Sequence, residues 1–338
     1  MAKNYAFLNQ LLHAPEHFRD HIKHMTAAIV MSLTYGYDVK ETDDPFILLA
    51  DRVNKFTLEP LLPGAFLVNT LPFLKQFPEW LPGMGFKRHA RYVFELGQEM
   101  INSPFEFVKE NIRKGTARPS IVRECINLHE DGNMSPLDEL TVKRAIVSVY
   151  AGGVETTAAA ISTLFLVLAL YPSVQQRAQA ELDAVVGGDR LPEYDDRSRL
   201  PFIDAICQEI LRWKPIAPLG LPHAAAEDDV YDGYFIPKGA TVLGNVWAIL
   251  HDPDIYPDPE VFDPDRFLTP DGQVKNDPVL TSVFGFGRRI CPGRHLVDST
   301  LWIAAASLLS AFNVCKAKDE HGDEIHIEAA YTDSSPSW

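Results

Sequence analysis

Apolar residues recur at helical spacing along most of this chain, and at strand spacing only in a late, proline-rich stretch. Residues 4–32 carry helical periodicity, and Asp43 to Leu58 predict another helix. From Leu61 to Pro82 the pattern gives way to an apolar segment cut by prolines, in which Leu62, Phe66, Leu71, Phe73, Phe77 and Trp80 crowd together. A long amphipathic helix is predicted from about Phe86 to Lys114. The next start signal is sharper: Ser135 as N-cap, Pro136 at the first helical position and Asp138 three residues after the cap. That helix can run to Tyr171, where Pro172 ends it. About half of the 25 prolines fall between Pro192 and Pro278, which predicts turns and short strands. Thr241 to Ile249 and Tyr231 to Ile236 are the strand candidates. With no internal repeat and no low-complexity linker, the expectation is one mainly α domain over residues 1–338, with small β-sheets.

Composition narrows the class. At 338 residues and 46% hydrophobic, the chain can bury a large core. A formal charge of −15 argues against nucleic acid as a partner. Cys125, Cys207, Cys291 and Cys315 lack framework spacing, which argues against a disulfide scaffold and fits a reducing compartment. Met1 is followed by Lys3 and mixed polar residues, so no signal peptide is expected. The stretch Ala158 to Tyr171 is broken by Ser162 and Thr163 and is short for a membrane span, so it reads as a buried helix.

The candidate chemistry is concentrated in Phe284-Gly285-Phe286-Gly287-Arg288-Arg289-Ile290-Cys291-Pro292-Gly293-Arg294. Glycines and a proline bend the chain around one cysteine, and three arginines favour its thiolate. Pro292 suits the first position of a helix running through His295 to Ala311, whose positive end adds to that preference. Taken alone, Cys291 reads more readily as a small buried hydrophobe, and only the whole string turns that reading around.

The string resembles the haem-thiolate signature of the cytochrome P-450 monooxygenases, Phe-x-x-Gly-x-Arg-x-Cys-x-Gly, with Phe284, Gly287, Arg289, Cys291 and Gly293 at the fixed positions. The resemblance implies haem b, with Cys291 as the metal ligand, Arg289 on a propionate and Phe284 near the sulfur. Ala151-Gly152-Gly153-Val154-Glu155-Thr156-Thr157 resembles the family's oxygen-activation motif. Two mid-helix glycines cost about 1 kcal/mol each relative to alanine, so a reason is expected: room for a flat cofactor at Gly152, or a tight helix crossing. Thr156 can bond back to the helix and open a local bulge. By resemblance Thr156 would donate to the dioxygen being activated, and Glu155 would feed the proton relay.

Glu209-Ile210-Leu211-Arg212 and Pro264-Asp265-Arg266-Phe267 resemble the family's Glu-x-x-Arg and Pro-x-Arg-Phe elements, which form a structural Glu–Arg–Arg triad. His223, after Leu221-Pro222, matches a position that donates to the other propionate, although a lone histidine is commonly just a surface residue. All four motifs occur in the family's order, closest to its fungal secondary-metabolism branch. The implied activity is insertion of one atom of O2 into a small lipophilic secondary metabolite. An NADPH-dependent reductase would supply the electrons. The alternative is a catalytically inactive fragment. No Trp-x-x-x-Arg propionate contact occurs in the sequence. An anchor, first strands and early helices before Met1 are also missing from the expected pattern, as is a closing hairpin after Tyr331. The P-450 fold is therefore expected to be incomplete at both termini. The family works at the cytosolic face of the endoplasmic reticulum membrane. Without an anchor, this chain is expected to be cytoplasmic or peripheral, with Leu61 to Pro82 as either a membrane contact or a capped loop.

Overall fold

The structure is a computed structural model and describes residues 1–61, 64–129 and 134–327. Leu62 and the segment from Tyr331 onward lie outside the described residues. Among those described, the α-helices are α1 (Ala2–His13), α2 (Phe18–Tyr35), α3 (Pro45–Leu58), α4 (Leu67–Thr70), α5 (Gly85–Arg113), α6 (Ile121–Asn127), α7 (Pro136–Leu170), α8 (Pro172–Val185), α9 (Pro201–Trp213), α10 (Val246–Leu250) and α11 (Arg294–Ala311). Four short strands, β1 (His223–Ala224), β2 (Asp229–Tyr231), β3 (Tyr234–Ile236) and β4 (Thr241–Val242), make two antiparallel pairs, β1 with β4 and β2 with β3. The mainly α architecture with small sheets is thus observed.

Local chemistry explains where the elements begin and end. The helical run expected over residues 4–32 is two helices. Pro15 has no N–H to continue α1, and Ala14 before it turns extended, at φ −147°. At α3 the Asp44 carboxylate accepts from the N–H groups of Phe46 and Ile47 at 2.9 and 3.2 Å, which satisfies two orphan donors. Ser135 caps α7 as expected: its hydroxyl accepts from Asp138 N at 3.2 Å and donates to the Asp138 carboxylate at 2.6 Å. The strand expected over Tyr231 to Ile236 is interrupted by the bend of a hairpin: Tyr231 ends β2, and Tyr234–Ile236 return as β3. Asp232 and Gly233 both take positive φ, 49° and 80°, the pair of angles that suits the twist of a two-residue turn. The strand expected over Thr241 to Ile249 stops at Val242, because the Asn245 side chain accepts from Ala248 N and starts α10.

The chain divides into two compact units. Described residues 1–15 and 157–327 form the first, and residues 16–156 form the second. In the second unit α2, α3, α5, α6 and the first part of α7 enclose a core around Val30, Met31, Leu49, Met100, Phe105 and Val122. In the first, α1 lies on α11, joined by Asn4 Nδ2 donating to Ser307 Oγ at 2.8 Å, and α8 and α9 pack beside α11. Helix α7 is long and apolar enough to cross a membrane, yet 61% of its apolar window is buried in the protein, as expected for a core helix.

The expected triad is present in the first unit. Glu209 and Arg212, both fully buried, meet through Arg212 Nε and Nη2 at 2.6 and 2.8 Å from the carboxylate, and Arg266 Nε reaches Glu209 Oε1 at 3.2 Å. The remaining donors end on carbonyl oxygens of Leu250, Val261 and Pro257, so each charged group of the cluster is hydrogen-bonded. Burial pushes the Glu209 carboxyl up despite the two guanidiniums, so desolvation offsets much of what the pairing contributes to stability. Removing one partner leaves a buried charge unpaired. Glu209→Ala should therefore cost about 3–5 kcal/mol in denaturant unfolding, whereas Arg177→Ala, at the exposed pair with Asp265, should cost about 1 kcal/mol or less.

Candidate functional site

The cysteine string folds as a closed loop in the first unit. Cys291 N–H donates to the Phe284 carbonyl at 2.8 Å, which brings the two ends of the segment together. Gly285 and Gly287 inside it take φ of 84° and 56°, and a Cβ at either would meet nothing within 4 Å. The loop backbone is therefore open at both glycines. Cys291 is free and partly buried. Its sulfur lies 3.7 Å from where a Cβ on Gly293 would stand.

One detail differs from expectation. Helix α11 begins at Arg294 with Gly293 as N-cap, so Pro292 belongs to the loop and not to the first turn. The Cys291 amide is committed to Phe284, which holds residues 291 and 292 out of helical geometry. Of the three arginines expected around the cysteine, Arg294 donates through Nη1 to the Cys291 carbonyl at 3.3 Å. Arg288 and Arg289 are exposed, and among the described residues neither side chain has a hydrogen-bond or ion-pair partner.

His223 opens β1, where it pairs in register with Val242 of β4. Two residues after Val242, Gly244 passes beneath the Phe286 ring of the cysteine loop: a Cβ on Gly244 would stand 2.5 Å from Phe286 Cε2. The histidine strand and the cysteine loop are thus neighbours through one close approach. His223 is exposed, with no side-chain partner among the described residues. These residues fit the haem that the resemblance implies. A free thiol sits on a loop whose backbone is open at two glycines, and an unengaged Arg289 and an unengaged His223 offer donors to carboxylates.

Gly152, Glu155 and Thr156 lie on α7 in the second unit. The two glycines have different surroundings. A Cβ on Gly153 would come within 3.2 Å of Val30 Cγ2, which is the tight helix crossing, whereas Gly152 faces open space. Thr156 Oγ1 donates back to the Gly152 carbonyl at 2.6 Å, and α7 stays α-helical through this turn, so the expected bulge is absent. Glu155 is mostly buried, and its Oε1 takes Lys23 Nζ at 3.2 Å and Asn54 Nδ2 at 3.4 Å. Lys23 also reaches Asp51 Oδ1 at 2.7 Å. Sequence reasoning missed Lys23, Asp51 and Asn54. The one available signal was a lysine on the otherwise apolar face of α2, beside Ile22, Ala27 and Val30. A larger cavity in the same unit, about 240 Å³ and bounded by Tyr37, Asp38, Phe107, Asn111 and Arg118, holds none of the expected site residues.

Of the other cysteines, Cys207 is buried and its thiol is pushed well up by desolvation, which makes it inert. Among the described residues no three His, Cys, Asp or Glu side chains cluster to hold a metal.

Comparison with known proteins agrees. The family model for cytochrome P-450 matches residues 8–330. A cytochrome P-450 monooxygenase of Armillaria gallica is 43% identical over 318 residues, covering 94% of this chain and 62% of the relative. One from Ampulloclitocybe clavipes is 43% identical over 320 residues, covering 94% of this chain and 59% of the relative. The tryptamine 4-monooxygenase of Psilocybe cyanescens is 42% identical over 331 residues, covering 96% and 64%. The chain thus spans about three fifths of the length of these curated relatives. Its cysteine loop, its buried Glu–Arg–Arg cluster and the match across residues 8–330 place it in the cytochrome P-450 family.

Proposed function

We propose that this chain is one catalytic domain of a haem-thiolate monooxygenase, inserting one atom of O2 into a small apolar secondary metabolite with electrons from an NADPH-dependent reductase. The observation that carries this reading is the closed loop presenting free Cys291, its backbone open at Gly285 and Gly287, with Arg289 unengaged. Cys291 would hold the metal, Arg289 and His223 the propionates, and Phe284 the wall behind the sulfur. Gly152 leaves α7 open where a flat group can approach. Once bound, haem supplies the oxygen chemistry, and a thiolate ligand favours O–O cleavage by pushing electron density toward it. Glu155 would carry a proton into the site. Thr156 would pass one on, by turning its O–H away from the Gly152 carbonyl. The fungal relatives, one of them named for tryptamine, support a secondary-metabolite substrate and make tryptamine the first probe.

The apolar segment supports a peripheral contact with a bilayer at the cytosolic face of the endoplasmic reticulum. Leu67, Phe73 and Trp80 are 69%, 53% and 80% exposed, while Lys87 and Arg91 tie the segment back to α5 through Phe77 O and Glu79. Side chains of this kind seat reversibly in an interface and do not anchor a protein.

Three outcomes test the reading. In the reduced, carbon-monoxide-treated protein, Cys291→Ala should abolish the thiolate-type Soret band, while alanine at Cys125, Cys207 or Cys315 preserves it. Parental protein without haem absorbance would favour the inactive fragment. Thr156→Ala should retain haem but lower product formed per NADPH by roughly tenfold or more, with hydrogen peroxide released instead. Unchanged coupling would remove Thr156 from proton delivery. On vesicles containing anionic lipid, the chain should co-float in low salt and be stripped by a carbonate wash, and a Phe73→Ser, Trp80→Ser double variant should fail to float. Retention after the wash would contradict a peripheral contact.

A further inference from the structure

Helices α2 and α3 both turn a polar group toward Glu155. On α2, Lys23, Ala27 and Val30 stand at i, i+4 and i+7 and so share one face. Val30 makes the close approach to Gly153, at a distance that a side chain at 153 would not leave undisturbed. With α2 held that near, Lys23 reaches Glu155 Oε1 at 3.2 Å and Asp51 Oδ1 at 2.7 Å. On α3, Ile47, Ala50, Asp51 and Asn54 also share a face, and Asn54 Nδ2 donates to the same Oε1 at 3.4 Å. Lys23, Asp51, Asn54, Tyr150, Val154 and Glu155 line a space of about 10 Å³, at the lower limit for holding one water.

The two donors converge on a single carboxylate oxygen. Among the described residues, no hydrogen bond is made to Glu155 Oε2. A carboxylate gripped through one oxygen no longer exchanges its two oxygens by rotation, so the order that proton transfer needs is already in place. Burial works against the Lys23 charge, but the Asp51 hydrogen bond and the Glu155 charge outweigh it and raise the lysine above its ordinary value, so the grip stays cationic at working pH. We infer that Lys23, helped by Asn54, is a positioning residue for oxygen activation, fixing Glu155 by Oε1 so that Oε2 is the oxygen that carries the proton. The inference rests on the reading of Glu155 as proton carrier given above.

The test uses the haem-loaded full chain with reductase and tryptamine, or whichever substrate the parent turns over, and compares Lys23→Met, Lys23→Arg, Asn54→Ala and Glu155→Gln. Product per NADPH should fall roughly tenfold in Lys23→Met, with KM little changed, and less in Asn54→Ala. Lys23→Arg should recover most of the loss, which a role in packing alone would not give. Apart from turnover, a denaturation cycle of Lys23→Met and Glu155→Gln should be non-additive, because the pair is in contact. If Glu155→Gln uncouples turnover while Lys23→Met behaves as parent, the positioning role is wrong and Glu155 remains the carrier. If Glu155→Gln changes nothing, the carrier reading itself fails. An additive cycle would overturn the clamp in either case. Should Lys23→Met not fold, parental coupling in Asn54→Ala together with failed recovery in Lys23→Arg would overturn it as well.

Discussion

The Glu209 carboxylate organises the first unit. It is fully buried, and both of its oxygens are claimed, by Arg212, by Arg266 and by the Asp263 N–H. The two guanidiniums in turn hold carbonyls from Leu250 to Val261, so a stretch with little regular structure is tied to helix α9 at several points. Helix α9 also packs against residues 280–284, the turn that leads into the cysteine loop. A charge cluster with no chemistry of its own therefore sets the platform on which Cys291 is presented. An apolar cluster could fill that volume, but it could not bind specific carbonyls of an irregular chain, which is the function a satisfied polar network serves here.

Helix α7 shows how one motif meets two unlike demands. Adjacent glycines look equivalent in a sequence, yet Gly153 serves packing against Val30, while Gly152 is open on its side and accepts the Thr156 hydroxyl at its carbonyl. The close approach at Gly153 has a further effect. It sets the spacing at which Lys23 can reach Glu155, so a packing residue also governs a polar contact.

Much of this was legible in the sequence because its signals are local. The cap at Ser135, the helix from Gly85 to Arg113 and the cysteine string depend on residues a few positions apart. The Glu–Arg–Arg cluster was legible only through resemblance, since Glu209 and Arg212 alone describe any helix face. Helix α10 was missed because Val246–Leu250 is as apolar as a strand, and Asn245 decides the matter by capping. The hairpin at Asp232-Gly233 was misread because periodicity does not register two positive φ angles. Lys23 was out of place on an apolar helix face, but neither it nor Asp51 and Asn54 could be linked to Glu155, because that relation exists only once three helices are packed.

The close passage of Gly244 beneath Phe286 has a practical consequence for anyone redesigning this protein. Residues beside β4 are natural choices for altering what binds nearby, and a library there would ordinarily be scored for selectivity. At position 244 any side chain pushes first on an aromatic ring that belongs to the cysteine loop. A variant chosen for a new preference would then also carry a displaced loop, and with it altered surroundings for Cys291. Diversity placed at Val242 or Leu243, whose side chains are about half exposed, would separate the two effects.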